Sequence, residues 1–346
     1  MNDIERAVFA EEFYSRQVVM KELGEKGQQK LAKARVAIVG VGGLGTVSAL
    51  YLALAGVGYI RIIDQDTIEP HNLHRQILYT SDDLHYPKAE VAAKRLGQVN
   101  PLIRVEAVSE NVNSSNVEQL LADVDCVVDG LDNMLTRHIV NRACVKAKVP
   151  YVFGAAIGIE GNLSVFAPPE TGCLECLMPN LSDNQMQTCN TRGVIGATPG
   201  IIGSLQAIET IKLLTDTGST LKGKLLVCDF SDMDFTTIDI TKNLRCPVCQ
   251  GKVSKITGKE QLVWLCGKDT ANINPESPLK LNIEQIYPTV NQLFNVHLKS
   301  QLALMFNYDN YKISLFNGGR MLIKGAMDEK TALTVYHEVL KKLKIS

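Results

Sequence analysis

A glycine-rich segment is the first stretch of the sequence whose residue types indicate chemistry: Gly40-Val41-Gly42-Gly43-Leu44-Gly45. It follows the β-branched run 35–39 and precedes an apolar stretch, 46–55, that is typical of a buried helix. Glycines allow a tight turn and a close approach of the backbone to phosphates, and the helix that follows directs its amide dipoles at an anion. The segment therefore predicts a nucleotide-phosphate site at Gly40, Gly42, Gly43 and Gly45. A tight turn without a ligand is the alternative.

An acidic residue, Asp64, follows the next predicted buried strand, 59–63. In a strand–turn–helix–strand unit of about 30 residues, an acid at this position accepts hydrogen bonds from ribose hydroxyls. The placement after a second strand predicts that Asp64 binds the ribose of a nucleotide. The alternative is a solvated acid at a strand end.

A polar cluster follows the ribose acid and contains Asp66, Asn72, Arg75 and Gln76, with Lys88 thirteen residues after Arg75. A dehydrogenase has no evident need for this combination. An enzyme that handles a triphosphate does, because cationic donors neutralise charge that develops on phosphates. The cluster therefore favours triphosphate chemistry, although each cation taken singly could be an ordinary surface charge.

A second acidic segment, Asp129-Gly130-Leu131-Asp132-Asn133, follows another predicted buried strand. The carboxyl ends of such strands form the ligand crevice of an α/β sheet, and Mg²⁺ prefers a few carboxylates together with substrate oxygens. Asp132 and Asn133 are therefore candidates for a magnesium-nucleotide site. Capping of the helix that follows by Asp132 or Asn133 is the alternative, and Asp129 reads as the structural acid.

Four of the nine cysteines form two Cys-x-x-Cys pairs, Cys173 with Cys176 and Cys246 with Cys249. In a reducing compartment such pairs are typical of metal ligands rather than disulfides. Together they match a closed, tetrahedral structural zinc site that would fix a long crossover to the core, with a redox role for one pair as the alternative.

A further cysteine, Cys189, lies in a polar loop with Arg192 nearby. A neighbouring cation favours the thiolate, so Cys189 is a candidate nucleophile. An incidental cysteine is the alternative reading.

Buried β-branched runs alternate with helical segments through the first two thirds of the chain, which predicts a doubly wound, mostly parallel α/β sheet. A polar stretch, 168–199, interrupts the pattern. We predict a domain over 1–251, with a helical arm at 1–34, and a small C-terminal α+β domain over 260–346.

The bulk composition narrows the function. The chain has 346 residues, 45% hydrophobic and 21% charged, with a formal net charge of -1. This charge disfavours a nucleic-acid partner, whose affinity would come from neutralising phosphates. No apolar stretch is long enough to predict a membrane span or a signal peptide, so we expect a cytoplasmic protein without membrane association.

The ordered set of motifs resembles the ThiF/MoeB/HesA family, relatives of ubiquitin-activating enzymes. The resemblance covers roughly 13–250. The segments that carry it are Tyr14-Ser15-Arg16-Gln17, Gly40 to Gly45, Asp64-Gln65-Asp66, Asn72 to Gln76, Pro87-Lys88, Asp129 to Asn133, Gly193-Val194, Gly203 to Ala207 and both cysteine pairs.

This resemblance implies an ATP- and Mg²⁺-dependent adenylyltransferase. Its substrate would be the C-terminal Gly-Gly carboxylate of a ubiquitin-like sulfur-carrier protein, similar to ThiS or MoaD, in thiamine or molybdopterin biosynthesis. By analogy the glycines hold the nucleotide, Asp64 binds ribose, and Arg75 and Lys88 stabilise phosphate charge. Asp132 would hold Mg²⁺, and the cysteine pairs would hold Zn²⁺.

The family also implies partners. Its members are typically symmetric dimers, in which Arg16 would reach the site of the other subunit. Cys189 aligns with a loop cysteine that links covalently to the carrier in some members, and a cysteine desulfurase or another donor would supply sulfur. The tail from 315 to 325 resembles the small C-terminal domain of certain bacterial and archaeal members, rather than a rhodanese domain, and we expect carrier docking or dimer support from it.

The sequence departs from the family pattern at one residue, and three other functions are alternatives to an adenylyltransferase. Arg192 stands where the family usually has a small residue, which puts the role of Cys189 in doubt. An NAD-dependent oxidoreductase on the same fold leaves Arg16, the 72–76 cluster and the cysteine pairs unexplained. A tRNA-modifying dehydratase of the same superfamily would favour a basic face, and a non-catalytic scaffold is disfavoured by the full set of nucleotide-site residues.

Overall fold

The computed structural model describes residues 2–179, 181, 192–252, 262–264, 270–275 and 279–345. Two helices open the chain, α1 (Asp3–Val18) and α2 (Gly24–Lys33). The sequence predicts one continuous helical region over 11–33, but the chain turns between the two helices, where Gly24 has a left-handed φ of 60°. Tyr14 anchors the arm, since its hydroxyl accepts a hydrogen bond from Asn100 Nδ2 at 2.7 Å.

One eight-stranded sheet forms the centre of the first part of the chain, in the order β3-β2-β1-β4-β5-β6-β7-β8. The first five strands of that order pair in parallel, and the last three join antiparallel. The strands are β1 (Arg35–Val39), β2 (Tyr59–Ile63), β3 (Arg104–Val108), β4 (Cys126–Asp129), β5 (Tyr151–Ile157), β6 (Glu160–Phe166), β7 (Lys224–Asp229) and β8 (Asp234–Asp239). The chain order reverses between β1 and β4, and the crevice at such a reversal is where α/β sheets bind ligands.

Helices cover both faces of this sheet. They are α3 (Gly43–Ala55), α4 (Lys88–Val99), α5 (Val117–Leu120), α6 (Met134–Ala147), α7 (Leu174–Leu177) and α8 (Ala197–Thr215), with 3₁₀ turns at Pro70–Asn72 and Ser81–Asp83. One face buries Leu52 of α3 against Ile60, and the other buries Val140 of α6 near Phe153. Both faces of the central strands are therefore apolar, which explains their unbroken β-branched runs.

A second, antiparallel sheet follows, in the order β11-β12-β13-β14-β10-β9. Its elements are β9 (Leu262–Trp264), β10 (Thr270–Ile273), α9 (Ile283–Phe294), β11 (Leu298–Lys299), β12 (Ala303–Tyr308), β13 (Tyr311–Phe316), β14 (Met321–Lys324) and α10 (Glu329–Leu343). We call residues 262–345 the C-terminal unit. It has a hydrophobic core of its own, built around Phe306, Leu315, Val335 and Val339.

The predicted fold class is confirmed: a doubly wound α/β sheet is followed by a small α+β unit. The sequence reading missed two strands, β10 and β11, because β10 is only four residues long and carries a buried asparagine, and β11 has two residues. The boundaries 1–251 and 260–346 stay predictions. Within the described residues, none of the helices combines the length and apolarity that a membrane span requires.

Candidate active site

The glycine-rich segment packs against the loop that follows β4. Gly40 has a φ of 86°, and a Cβ there would lie 2.6 Å from the carbonyl oxygen of Gly130. Gly45 is equally confined, since a Cβ would collide with the carbonyl oxygen of Gly40. These two predicted nucleotide glycines therefore serve first to bring the loops after β1 and β4 together.

Gly42 and Gly43 have a different environment. Gly42 is the N-cap of α3, and the nearest atom to a Cβ at Gly42 would be Gln76 Nε2, at 3.7 Å. Gly43 faces Pro199 of α8, whose Cβ would lie 3.0 Å from a Cβ at Gly43. The space in front of the α3 N-terminus is thus bounded by Gly42 and Gln76, and helix amides at such a position favour an anion.

Asp64 lies at the carboxyl end of β2 and is tied to the glycine segment. Its Oδ2 accepts a hydrogen bond from the Val41 amide at 2.8 Å, and its Oδ1 accepts one from the Asp66 amide at 2.7 Å. Burial raises the pKa of the Asp64 carboxyl to about 6, although nearby Lys88 and the two amides oppose the rise. A carboxylate held in this way near neutral pH suits a hydroxyl donor such as ribose.

Lys88 and Asp66 form an ion pair beside Asp64. Lys88 Nζ lies 3.0 Å from Asp66 Oδ2, and only 7% of the lysine side chain is exposed. Burial alone would lower the pKa of Lys88, but the carboxylates of Asp66, Asp64 and Asp132 raise it above its ordinary value. Removing an ammonium group and several carboxylates from water costs free energy. Such clusters are typical of functional sites, so this one is a candidate site.

The three predicted site residues of the 72–76 segment have distinct positions. Asn72 is buried and caps its own turn, since Oδ1 accepts the Glu69 amide at 3.0 Å. Arg75 donates through Nη1 to the His71 carbonyl at 2.8 Å, and its Cδ faces Gly43. Gln76 is buried beside Gly42, and its Oε1 has no hydrogen-bond partner among the described residues. Such an unpaired oxygen indicates a missing donor at this place.

The loop after β4 separates the roles of its acids. Asp129 is fully buried, paired with Arg137 Nε at 3.0 Å and bonded to the Tyr151 hydroxyl at 2.7 Å, so it is structural. Asn133 is the N-cap of α6, because its Oδ1 accepts the Thr136 amide at 2.9 Å. Asp132 is exposed and does not cap the helix. Asp132 follows β4, which pairs in parallel with β1 as β1 does with β2, so it lies at the same carboxyl edge of the sheet as the ion pair.

Arg16 lies near the C-terminal end of α3, whereas the glycine segment lies at the N-terminal end of that helix. Arg16 is exposed on α1, next to residues that pack at the amino edge of the sheet: Gln17 Nε2 donates to the Ala55 carbonyl at the end of α3, at 3.3 Å. Arg16 therefore does not join the site of its own subunit.

The predicted nucleophile Cys189 lies outside the described residues. Arg192, its predicted neighbour, is described: both terminal nitrogens of its guanidinium contact the carboxylate of Glu160, one of them at 3.0 Å. The cation is thus already neutralised by an acid on β6.

The four predicted zinc ligands come together. Cys173 is the N-cap of α7 and Cys176 lies within that helix, while Cys246 and Cys249 follow β8. The Sγ atoms lie within 4.8 Å of one another, with 3.8 Å between Cys173 and Cys246 and 3.6 Å between Cys176 and Cys249. Four sulfurs at a Zn–S distance of about 2.3 Å would lie about 3.8 Å apart, so this donor set fits a tetrahedral zinc ion.

The sequence reading assigned no role to two residues that support the site. The Tyr79 hydroxyl donates to the Val41 carbonyl at 3.0 Å and lies 3.3 Å from the Lys88 carbonyl, which ties the glycine segment to α4. Gln206 of α8 is fully buried and donates through Nε2 to the Asp129 carbonyl at 2.7 Å. Gln206 belongs to the motif 203–207, which was a signal that could have found it, whereas nothing in the sequence marks Tyr79.

The fold and these groups define an α/β protein with a candidate nucleotide-phosphate site at a helix N-terminus and a separate four-cysteine cluster. The chain belongs to the ThiF family, whose model matches residues 14–248. The resemblance stated from the motifs is confirmed.

Several named proteins are similar in sequence or structure to this chain. The chain is 42% identical to "Sulfur carrier protein adenylyltransferase" of Thermus thermophilus, over 68% of this chain and 89% of that protein. It is 41% identical to "Sulfur carrier protein ThiS adenylyltransferase" of Escherichia coli, over 69% of this chain and 94% of that protein. Among solved structures, E. coli MccB matches with a TM-score of 0.62 and 26% identity, over 69% of this chain and 72% of that chain.

Proposed function

We propose that this protein is an adenylyltransferase that activates the C-terminal carboxylate of a ubiquitin-like sulfur-carrier protein with ATP. One observation supports the assignment above the others: Asp64, the Lys88–Asp66 pair and Asp132 gather at the sheet edge where α3 presents its N-terminus. The relatives that carry adenylyltransferase names match most of their length to this chain.

In this proposal the nucleotide lies along the edge of the sheet. Asp64 accepts hydrogen bonds from the ribose, and the phosphates lie against Gly42 and the α3 N-terminus, with Gln76 Oε1 available to a donor there. Gly40 and Gly45 keep the loops closed, and Asn72 keeps the 72–76 segment in its turn. Asn133 contributes by fixing the start of α6, which orients Asp132.

The reaction is an in-line displacement on the α-phosphorus of ATP. A carboxylate oxygen of the carrier's terminal glycine forms the new bond, the bond to the β-phosphate bridging oxygen breaks, and that electron pair leaves with pyrophosphate. Lys88 and Arg75 offset the negative charge that develops on the phosphates. Asp132 would hold Mg²⁺, which supplies further neutralisation of the polyphosphate.

Two features extend beyond one subunit. We propose a symmetric dimer in which Arg16 of one protomer reaches the nucleotide of the other, because Arg16 is exposed at the amino edge of its own sheet. The four cysteines hold Zn²⁺ and fix the crossover that includes α7 to the segment after β8. Thiolates of this kind suit a reducing compartment, so the cytoplasm is the proposed location.

Sulfur transfer follows activation. The Cys189 sulfur would attack the acyl carbon of the carrier adenylate and form a thioester, while the bond from that carbon to the adenylate oxygen breaks and AMP leaves. A cysteine desulfurase or another donor would supply the sulfur. The carrier serves thiamine or molybdopterin biosynthesis in this proposal. The rival functions, an NAD-dependent oxidoreductase and a tRNA-modifying dehydratase, are not favoured by relatives with adenylyltransferase names.

The test is carrier adenylation with ThiS-like and MoaD-like proteins, followed by the mass of the carrier and by release of pyrophosphate. We expect Asp132→Ala to reduce adenylate formation at least about 100-fold, because the Mg²⁺ that Asp132 would hold no longer neutralises the phosphates. Cys189→Ala should leave the adenylate intact and remove any covalent link. Asp82→Ala, an exposed acid in the turn Ser81–Asp83, is the matched control and should act like the wild type. Full activity of Asp132→Ala would refute the site assignment.

A further inference from the structure

The C-terminal unit is attached to the segments that carry the candidate nucleotide site. Asn272 of β10 donates through Nδ2 to Gln65 Oε1 at 2.9 Å, and Gln65 stands between Asp64 and Asp66. Glu90, two residues beyond Lys88 on α4, accepts the amides of Gln301 and Leu302 at 3.0 and 3.2 Å. The C-terminal unit therefore contacts both segments of the charged cluster, the one with Asp64 and Asp66 and the one with Lys88.

Arg320, in the turn between β13 and β14, lies at the centre of this contact. Only 4% of it is exposed, and its guanidinium stacks 3.6 Å from the ring centroid of Phe316. Its Nη1 donates to Asn272 Oδ1 at 3.3 Å, and its Nη2 lies 3.4 Å from Ser109 Oγ, just beyond the carboxyl end of β3. The guanidinium therefore bridges the C-terminal unit and the outer edge of the nucleotide-binding sheet.

The bonding of Arg320 is poor for a buried cation. All polar contacts of its guanidinium are 3.3 Å or longer, and Nε has no partner among the described residues. None of the ion pairs between described residues includes Arg320. Burial lowers the pKa of Arg320 to about 10, so it stays charged at neutral pH, with Asp66, Asp64 and then Glu110 opposing the decrease. A buried charge without a close anion destabilises the fold relative to an apolar side chain, which calls for a role other than stability.

The electrostatics of the site supply that role. Asp64 and Asp66 repel each other, which disfavours the ionised form of Asp64. Lys88 neutralises the pair from α4, and Arg320 is a buried cation on the side of the C-terminal unit. Without Arg320, the Asp64–Asp66 segment would carry more uncompensated negative charge toward an incoming polyanion.

We propose that the C-terminal unit completes the nucleotide site, with Arg320 and Asn272 as positioning residues that hold the Asp64–Asp66 segment in its ATP-binding arrangement. This inference rests on the proposed function for the identity of the nucleotide. Arg320 acts through the two acids and Gln65 rather than on the reacting atoms, so its effect belongs to ATP binding and not to the chemical step.

The test compares full-length Arg320→Met, Arg320→Lys and wild type by calorimetric titration with ATP and by carrier-dependent pyrophosphate exchange. We expect Arg320→Met to weaken ATP binding and raise the KM for ATP about tenfold, the size of one lost charge interaction, with kcat within about twofold. Arg320→Lys should recover part of the loss. Lys299→Met removes another cation of the C-terminal unit, one that pairs with Glu284 and stacks on Tyr287, and should bind ATP like the wild type.

An unchanged Kd for ATP in Arg320→Met, with the melting temperature retained, would overturn the inference. If that variant does not fold, Gln65→Ala removes the same connection from the first part of the chain; weaker ATP binding supports the inference and a wild-type Kd overturns it. The proposed function fails separately, if wild-type protein binds ATP but adenylates none of the carriers.

Discussion

At the scale of single residues, Asp64 carries two demands that conflict. Burial disfavours its charge, while its proposed role as an acceptor for ribose requires the carboxylate. Both oxygens already accept a backbone amide, from Val41 and Asp66. Protonation would therefore occupy an oxygen that the backbone and the ribose both use. Because the pKa of Asp64 is about 6, its carboxyl group changes from the charged to the neutral form just below neutral pH.

A pH dependence of ATP affinity follows from Asp64. Because the pKa is raised to about 6, the carboxylate predominates above that pH and is lost as the pH falls through it. We expect the affinity for ATP to fall about tenfold between pH 7 and pH 5 in the wild type, beyond the change seen with Asp64→Asn. Calorimetric titrations across that range measure both. The protonation of ATP itself is common to the two proteins, so parallel curves would contradict the assignment.

At the scale of elements, the glycine segment shows how packing and ligand access are divided within six residues. Gly40 has both a left-handed φ and no room for a Cβ. Gly97, in α4, has a helical backbone, and a Cβ at this position would have no heavy atom within 4 Å. The same substitution should therefore have opposite effects at the two positions.

We expect Gly40→Ala to lower the free energy of unfolding by about 2–5 kcal/mol, from backbone strain and from the collision with Gly130. Gly97→Ala should raise it by about 0.5–1 kcal/mol, because alanine loses less backbone entropy in a helix. Urea unfolding followed by circular dichroism measures both values. A Gly40→Ala protein as stable as the wild type would show that the two loops are not closely packed.

The cysteine cluster joins α7 to a segment about seventy residues further along the chain. Such a link stabilises the fold only when the metal is bound. We expect one zinc per chain in the wild type and none in Cys246→Ser, with a melting temperature lower by at least about 5 °C. Cys228→Ala is the matched control, since Cys228 is buried in another cluster, and it should keep its zinc. Elemental analysis together with thermal unfolding distinguishes the two. If Cys246→Ser keeps both its zinc and the wild-type melting temperature, Cys246 is not a zinc ligand.

The elements that could be predicted from the sequence are those whose signals are local. The strands β1, β2 and β4 have the predicted bounds because each is a buried, largely apolar run between turn residues. β3 and α4 also have the bounds that the sequence predicts, although β3 is only partly buried and α4 contains both apolar and charged residues. The ends of other helices differ from the prediction. The sequence predicts a polar stretch up to residue 199, but α8 already begins at Ala197, because proline is tolerated in the first turn of a helix. β10 could not be found from its four residues, because its pairing with β9 and β14 is determined by distant parts of the chain.

At the scale of the whole molecule, the nucleotide site depends on parts that the sequence keeps far apart. The predicted site residues from Gly40 to Asp132 gather because parallel strands end at one edge, and this follows from the fold class alone. The approach of Arg320 and Asn272 to that edge does not, because it requires contacts across more than two hundred residues. The ThiF family model ends at residue 248, so the C-terminal unit is an addition to the matched region.

In the proposed dimer, each active site combines Asp132 of one chain with Arg16 of the other. Arg16→Ala and Asp132→Ala should each be inactive as homodimers. Co-expressed in equal amounts, they form mixed dimers in half of the molecules, and each mixed dimer contains one site with both residues intact. We therefore expect carrier adenylation to return to about a quarter of the wild-type rate, measured as pyrophosphate release per chain. If Arg16 instead acted within its own subunit, every site in the mixture would lack one of the two residues, and no activity would return.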